Sequence, residues 1–545
     1  MQNNASLILA NVIRRKVEET PDLDVLTFVH VDADQQLRDC TRSYRQLWEN
    51  GQRIAAGLDD EGMAQGEAFA LIMFNHPEFV EAMVGSSIAN TVFVPIDARA
   101  SGDKLQYLLS FSGCRGAIVA DHALSAVLEL VDALPQLQWL WVLDTGGDAH
   151  ELRAHPKVRV RALQDVLEDR VPDLAVRATD LRQPMQLLFT SGTTGNPKAI
   201  VAPYARFAAI AGLGEQVGLR PGDRPYTGLS LTHANAQCIT LGNALYLGLR
   251  AVISRQFTKS RLWEILRRHQ CTVFNLLGGM TTAVYSEPPR PDDADNPVRY
   301  VFSAGMPASI WKDFAARFNV EIFEFYGTAE GGLTLNPPGA GPMGSIGKPP
   351  SHLSCAILDE EGQELPAGLR GEICFRAASG DDHPPVAYLN NPEASAAKTC
   401  GGWFHSGDIG HKDEQGWVYF DYRDGSGIRR NGEFIDPAQI EKVIAEADEV
   451  ADVFVYGRGT PACAPGEKEI VAAVVQAPGR ALDIRQLLAH CARHLPRNLI
   501  PSHVQRVDEI PKTASEKPLE RVLREQLECE LAAQAVFSSR SQQQA

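Results

Sequence analysis

The chain of 545 residues contains no run of the roughly 18–20 uninterrupted apolar residues that a membrane-spanning helix requires. Its ten cysteines are scattered with no CxxC pair, so neither a disulfide framework nor a zinc site is suggested. Basic excess is also missing: 52 Lys and Arg against 68 Asp and Glu leave a net charge of −16, which argues against nonspecific binding to nucleic-acid phosphates. No internal repeat is visible. What remains is an ordinary globular composition, 44% hydrophobic and 22% charged. The length exceeds what one hydrophobic core organises, so two or more domains are expected. At the N-terminus, MQNNASLILANVIRRK places its basic residues after the short apolar run rather than before it, unlike a secretory signal. An amphipathic first helix and a cytoplasmic, thiol-containing protein are expected.

Up to about residue 420, helix-period stretches such as RQLWENGQRIAAGL alternate with short buried strands such as AFALIMF, GAIVA and LQWLWVL. That alternation predicts parallel βαβ units. Gly371–Phe375 and Trp417–Phe420 read as strands of a more β-rich region. After Arg423 comes a polar, glycine-bearing stretch and then a smaller group of helices and strands (AQIEKVIAEA, VADVFVYG, EIVAAVVQ, IRQLLAHCARHL). The last residues, FSSRSQQQA, form a polar tail expected to be disordered.

The most informative stretch is LFTSGTTGNPK, Leu188 to Lys198. An apolar lead-in, Met185–Phe189 with one Gln, resembles a buried strand, and the loop after it is too rich in Gly, Ser and Thr to pack as core. Glycines let backbone approach an anion, hydroxyls donate hydrogen bonds and a lysine supplies charge, so the loop suits a triphosphate. It is not a Walker A loop, because Pro197 precedes Lys198 and Ala199 follows it. A solvated turn is the ordinary meaning of such composition.

TSGTTGNPK resembles the signature loop of the adenylate-forming superfamily, which includes acyl-CoA synthetases, adenylation domains of peptide synthetases and luciferase-type enzymes. Further motifs follow in that superfamily's order. Ser43-Tyr44-Arg45-Gln46-Leu47 resembles SYxxL, and Val94-Pro95-Ile96-Asp97 resembles a VPxxP-like strand end. Tyr326-Gly327-Thr328-Ala329-Glu330 resembles YGxTE, and Gly402 through Asp408 resembles GWxxTGD. RDGSGIRRNGEFIDPAQIE, from Arg423 to Glu441, resembles the hinge and the segment after it, and PKTASEK, from Pro511 to Lys517, resembles PKTxSGK. The resemblance implies an α/β fold with a large N-terminal domain of parallel βαβ sheets plus a β-rich region and a small mobile α+β C-terminal domain. The corresponding boundaries are 1–422, a hinge at 423–426, 427–536, and a disordered tail at 537–545.

The same resemblance implies two half-reactions. A carboxylate attacks the α-phosphate of ATP to give an acyl-adenylate and pyrophosphate, and a thiol then displaces AMP. Thr190, Ser191, Gly192, Thr193, Thr194, Gly195 and Lys198 would hold the β- and γ-phosphates. Glu330 would bind Mg²⁺, a hard cation suited to carboxylate oxygen. Tyr326, with Gly327 and Thr328 after it, would stack on adenine, and Gly305-Met306-Pro307 would form the opposite wall. Asp408 and Arg423 would bind the ribose. Lys517 would bridge the carboxylate and the α-phosphate. Arg429 would enter during the second half-reaction, and His233, in Thr232-His233-Ala234-Asn235, would lie between acyl and thiol sites. Out of context, a lone His or Tyr is more often structural, an Asp in Ser-Gly-Asp a turn residue, and Arg429-Arg430 a basic turn.

Departures from the pattern are Ala329 where Thr is usual, Gly425 at the hinge, Glu516 and Pro518 around Lys517, and Tyr204 where His is common. The short segments around His233, Arg429 and Lys517 look most like the crotonobetaine/carnitine-CoA ligases and the related fatty-acid and steroid-acid CoA ligases. An ATP-dependent carboxylate–CoA ligase is therefore expected, with coenzyme A as acceptor. A stand-alone enzyme passing its acyl group to a carrier protein or an amine remains open, as does a degenerate nucleotide-binding protein. The helix Gln237–Leu247 and the segment Leu276–Met280 are expected to line the acyl pocket. With Val301–Gly305 they suggest a hydrophobic or weakly polar organic acid as partner. No nucleic acid and no integral membrane contact are expected, and a homodimer is left open.

Overall fold

The computed structural model describes residues 5–146, 155–190, 197–381, 386–423, 428–430, 433–435, 437–460, 463, 467–513 and 518–542. The side chains of residues 429, 433, 434, 438 and 532–542 lie outside that description. Ser191, Gly192, Thr193, Thr194, Gly195 and Lys517 also fall outside it, as do residues 424–426 of the expected hinge. The chain divides into two compact units, one of residues 1–275 with 297–299 and 385–398, the other of 276–296, 300–384 and 399–545.

The first unit carries a seven-stranded sheet in the order Arg159–Ala162, Trp139–Leu143, Gly116–Ala120, Ala68–Ile72, Val92–Ile96, Pro184–Phe189, Ala199–Pro203. All pairs are parallel except the last. Ala68–Ile72, Val92–Ile96 and Gly116–Ala120 are buried at every residue, as strands covered on both faces must be. Gly116 is required where it stands: a Cβ there would lie 1.9 Å from the Trp139 indole. A second set of strands, Leu37–Ser43, Asp24–Val31, Ala251–Ser254, Pro225–Thr227 and Val273–Leu277, hydrogen-bonds in that order. The expected amphipathic first helix is Leu9–Glu19, with Leu9, Ala10, Val12 and Ile13 buried.

The helix Tyr44–Asp60 shows why the SYRQL motif begins where it does. Ser43 and Gln46 form a capping box: the Gln46 N–H donates to Ser43 Oγ (3.3 Å) and the Ser43 N–H donates to Gln46 Oε1 (2.9 Å). Tyr44 and Leu47 are fully buried, and the Tyr44 hydroxyl donates to the Leu245 carbonyl at 2.7 Å.

In the second unit, Tyr300–Ala304 runs parallel to Glu321–Tyr326, which Thr334–Asn336 joins antiparallel. A five-stranded antiparallel sheet follows, built from Leu353–Leu358, Gly371–Ala377, Trp403–Lys412, Thr399–Cys400 and Val418–Arg423. This is the β-rich region expected from the sequence. The last part has the hairpin Ile428–Arg430/Glu433–Ile435 and the sheet Val450–Arg458, Glu469–Gln476, His503–Val507. Its helices are Pro437–Ala445, Ile484–His494 and Glu520–Gln542. The final helix continues through residues 537–542, a stretch expected to be tail; once Leu523 and Leu527 are buried, each further residue needs only one added hydrogen bond.

Candidate active site

The two strands flanking the glycine-rich loop close its base. Pro184–Phe189 pairs antiparallel with Ala199–Pro203, the Thr190 N–H donates to the Lys198 carbonyl (2.9 Å), and the Lys198 N–H donates to Thr190 Oγ1 (3.3 Å). The Tyr107 hydroxyl donates to the Pro197 carbonyl at 3.1 Å, and Lys198 Nζ lies 5.4 Å from the centre of the Tyr388 ring. The hairpin thus fixes both ends of the loop while the neighbouring tyrosines hold Pro197 and the lysine.

His233 is half-buried on a turn. Its N–H donates to the Ser230 carbonyl (3.0 Å), and its Nδ1 accepts from the Asn235 N–H (3.2 Å). The helix expected at Gln237–Leu247 is two pieces: a π-helical stretch Ala236–Gly242 and an α-helix Asn243–Leu247. The Asn243 amide donates back to the Cys238 and Ile239 carbonyls at 3.1 and 3.0 Å, supplying partners that the widened turn takes from the backbone. Buried polar groups cluster beside it. Asn275 Nδ2 donates to Asn235 Oδ1, Thr240 Oγ1 donates to Asn275 Oδ1 (3.1 Å), and Gln237 Nε2 donates to the Leu231 carbonyl (2.6 Å).

In the second unit the structure brings together Tyr326, Asp408 and Arg423. Asp408 ends a Ser-Gly-Asp stretch within the Trp403–Lys412 strand, its side chain only 1% exposed. Its Oδ2 accepts from the Tyr326 hydroxyl at 2.6 Å, and Arg423 forks onto both oxygens, Nε to Oδ1 at 2.7 Å and Nη2 to Oδ2 at 3.1 Å. Such a two-pronged pair is among the stronger polar contacts. The Asp408 hydrogen bond and charge hold the Arg423 guanidinium protonated, and burial, reinforced by Asp408, pushes the Tyr326 phenol well above its ordinary range, so it stays a donor. The Tyr326 ring stacks on Phe375, centroids 6.2 Å apart and planes 13° apart.

Gly305, Met306 and Pro307 follow the Tyr300–Ala304 strand, where Gly305 adopts φ +101°, a conformation that favours glycine. The fully buried Glu324 holds this bend: its carboxyl oxygens accept from the Gly305 N–H at 2.6 Å and the Met306 N–H at 3.1 Å. Gly278, which opens the helix Gly278–Tyr285, comes so close that a Cβ on it would lie 2.9 Å from the Gly305 carbonyl oxygen. Past Gly327, the Thr328 hydroxyl ties a turn by donating to the Gly331 carbonyl (3.0 Å) and accepting from the Glu330 N–H (3.2 Å). Glu330 is half-buried and close enough to contribute to the field at Arg423.

Thr190, Lys198 and His233 therefore belong to the first unit, and Gly305 through Pro307, Tyr326 through Glu330, Asp408 and Arg423 to the second. The backbone of Arg429 lies on the Ile428–Arg430 strand opposite Phe434. Sequence reasoning overlooked Glu324, Glu372 and Phe375; only Glu324, two residues before Tyr326, sits near a motif that could have drawn attention to it. Glu372, Cys374 and His405 also bring their side-chain N, S and O atoms within 4.8 Å of one another, a grouping that no CxxC pattern announces.

The architecture is that of an adenylate-forming enzyme: a large mixed α/β N-terminal part followed by a small C-terminal part. The description "AMP-binding enzyme" matches residues 13–380, and "AMP-binding enzyme C-terminal domain" matches residues 439–517. The chain belongs to the AMP-binding enzyme family. It is 29% identical over 483 residues to the medium/long-chain-fatty-acid–CoA ligase FadD17 of Mycobacterium marinum, covering 87% of this chain and 89% of that protein. It is 28% identical over 490 residues to the crotonobetaine/carnitine–CoA ligase of Proteus mirabilis, covering 88% and 92%. Among solved structures, the anthranilate CoA ligase AuaEII in complex with anthranoyl-AMP aligns with TM-score 0.81 at 22% identity, covering 96% of this chain and 98% of that one. A benzoate CoA ligase from Burkholderia xenovorans LB400 aligns with TM-score 0.76 at 22% identity, covering 96% and 100%. Among the described residues no helix is long and apolar enough to cross a membrane.

Proposed function

We propose that the protein is an ATP-dependent carboxylate–CoA ligase that works through an acyl-adenylate. The observation that carries this reading is the Tyr326–Asp408–Arg423 cluster beside a bend held by Glu324, in a chain of the AMP-binding enzyme family whose relatives of matching length are named CoA ligases. In the first step a carboxylate oxygen bonds to the α-phosphorus and the bond to the bridging oxygen of pyrophosphate breaks. In the second, a thiol sulfur bonds to the acyl carbon and AMP leaves.

Asp408 and Arg423 take the ribose, with ribose hydroxyls competing for the carboxylate oxygens that Tyr326 and Arg423 now occupy. Tyr326 and the Gly305–Pro307 bend flank adenine. Thr190, Lys198 and the glycine-rich loop between them hold the β- and γ-phosphates. Glu330 offers a hard carboxylate oxygen on a turn tied by Thr328, a donor suited to Mg²⁺, which would neutralise phosphate charge. Lys517 stabilises the charge that develops at the α-phosphate, Arg429 serves the second step, and His233 orients the acyl group toward the thiol. The substrate is a hydrophobic or weakly polar organic acid. The small domain beyond the 423–426 hinge turns between the steps, and the enzyme works in the cytoplasm.

The test is pyrophosphate and AMP release from Mg²⁺-ATP across a panel of carboxylic acids, with and without CoA. CoA-dependent AMP formation with one class of acid, lost in Lys517→Ala, is the expected result. Pyrophosphate release indifferent to CoA would move the acceptor to a carrier protein or an amine, and strong turnover with free amino acids alone would overturn the substrate class.

A further inference from the structure

The loop carrying Asp408 interrupts a β-ladder. On the Gly371–Ala377 strand, Cys374 pairs with His405 and Glu372 pairs with Ile409, with a register shift between the two pairs. Ser406, Gly407 and Asp408 therefore face the single residue Ile373, two more than the ladder needs, and Gly407 takes φ +77°. Bulges of this kind re-aim a side chain and cost the bulged residues their ladder hydrogen bonds. The vacated partner of Gly407 is replaced by a side chain: its N–H donates to Glu372 Oε1 at 2.7 Å. The second oxygen, Oε2, lies 2.7 Å from His405 Nδ1 at the other end of the bulge, and that same ring nitrogen lies 3.5 Å from Cys374 Sγ. Within the bulge, the Asp408 N–H donates to Ser406 Oγ at 3.0 Å.

We infer that Glu372 is a positioning residue for nucleotide binding, its carboxylate spanning the bulge from His405 to the Gly407 N–H and so aiming Asp408. The inference rests on Asp408 being part of the nucleotide site, as proposed above. A metal-centre reading of Glu372, Cys374 and His405 is weaker on this geometry. Both Glu372 oxygens already have partners, and the Cys374 thiol is fully buried beside a carboxylate, conditions that hold it protonated rather than as the thiolate a metal needs. Losing a charge-assisted acceptor at a glycine frees the bulge to sample other conformations, and Asp408 then meets the ribose only part of the time.

The experiment measures AMP affinity by titration calorimetry, KM for ATP, kcat and melting temperature for the wild type, Glu372→Ala, Glu372→Gln and Asp408→Ala. Glu372→Ala is expected to weaken AMP binding roughly tenfold and to raise KM for ATP more than it lowers kcat. Glu372→Gln keeps an acceptor oxygen for Gly407 and is expected to recover most of that loss. If Glu372→Ala does not fold, Glu372→Asp, whose shorter side chain withdraws the carboxylate from Gly407, carries the same expectation. Wild-type AMP affinity in Glu372→Ala, with Asp408→Ala impaired, overturns the inference alone. Wild-type affinity in Asp408→Ala overturns the nucleotide-site reading as well. Equal losses in the Gln and Ala variants, or one equivalent of zinc in the purified wild type, would also contradict it.

Discussion

At the residue scale, the site depends on side chains whose protonation is set by burial. The Tyr326 phenol is held neutral and donates to Asp408, while Arg423 forks onto the same carboxylate. Tyr326→Phe keeps the ring on Phe375 and deletes one hydrogen bond; AMP affinity measured by calorimetry is expected to fall severalfold, and Asp408→Ala should lower it further. Glu324 gives a pH prediction. Burial pushes its carboxyl up to about 8, outweighing the Gly305 and Met306 N–H groups that favour the anion. A folded-state pKa above the unfolded value means that the protonated group stabilises the fold. That contribution is complete below about pH 4.5 and is lost as pH rises through about 8. Denaturation at about pH 5 and pH 8 should therefore show a decline in the wild type that is smaller in Glu324→Gln, with a slope of at most about 1.4 kcal/mol per pH unit from this group. Identical declines in both proteins would rule Glu324 out as the source.

At the scale of elements, legibility followed the range of the forces involved. The helix at Tyr44–Asp60 was readable from the helical period of RQLWENGQRIAAGL, and the structure shows its start to be local as well: Ser43 and Gln46 satisfy each other three residues apart. Ser43→Ala should destabilise the protein by about 1 kcal/mol, read as a lower denaturant midpoint at unchanged slope. Strands such as Gly116–Ala120 were readable because burial on both faces demands a continuous apolar run. The π-helical stretch Ala236–Gly242 was not, because its widened turn depends on Asn243 reaching back to two carbonyls within a helix that otherwise has an ordinary apolar pattern. The bulge at Ser406–Asp408 was hidden for a different reason, the distance of its partner along the chain. Its acceptor, Glu372, lies 35 residues away in sequence. Motif positions drew attention to Tyr326, Asp408 and Arg423, which the structure brings together, but the carboxyl groups of Glu324 and Glu372 carry no local mark.

At the scale of the whole molecule, family membership, the order of the motifs and the matching lengths of the relatives converge on adenylation followed by thiol transfer. Chemistry that first needs cations around a triphosphate and then room for a thiol favours a domain that moves between the steps, which is why the 423–426 segment is proposed as a hinge. Gly425→Pro is expected to slow CoA-dependent AMP release at least tenfold while pyrophosphate release in the first turnover changes little; equal slowing of both steps would count against a hinge there. The central claim is tested most directly by isotope transfer. With a substrate acid labelled with ¹⁸O in its carboxylate, attack of that oxygen on the α-phosphorus must leave one heavy atom in AMP after thiolysis. Mass spectrometry is predicted to find the label in AMP and none in pyrophosphate. Unlabelled AMP, or label in pyrophosphate or inorganic phosphate, would contradict an acyl-adenylate route.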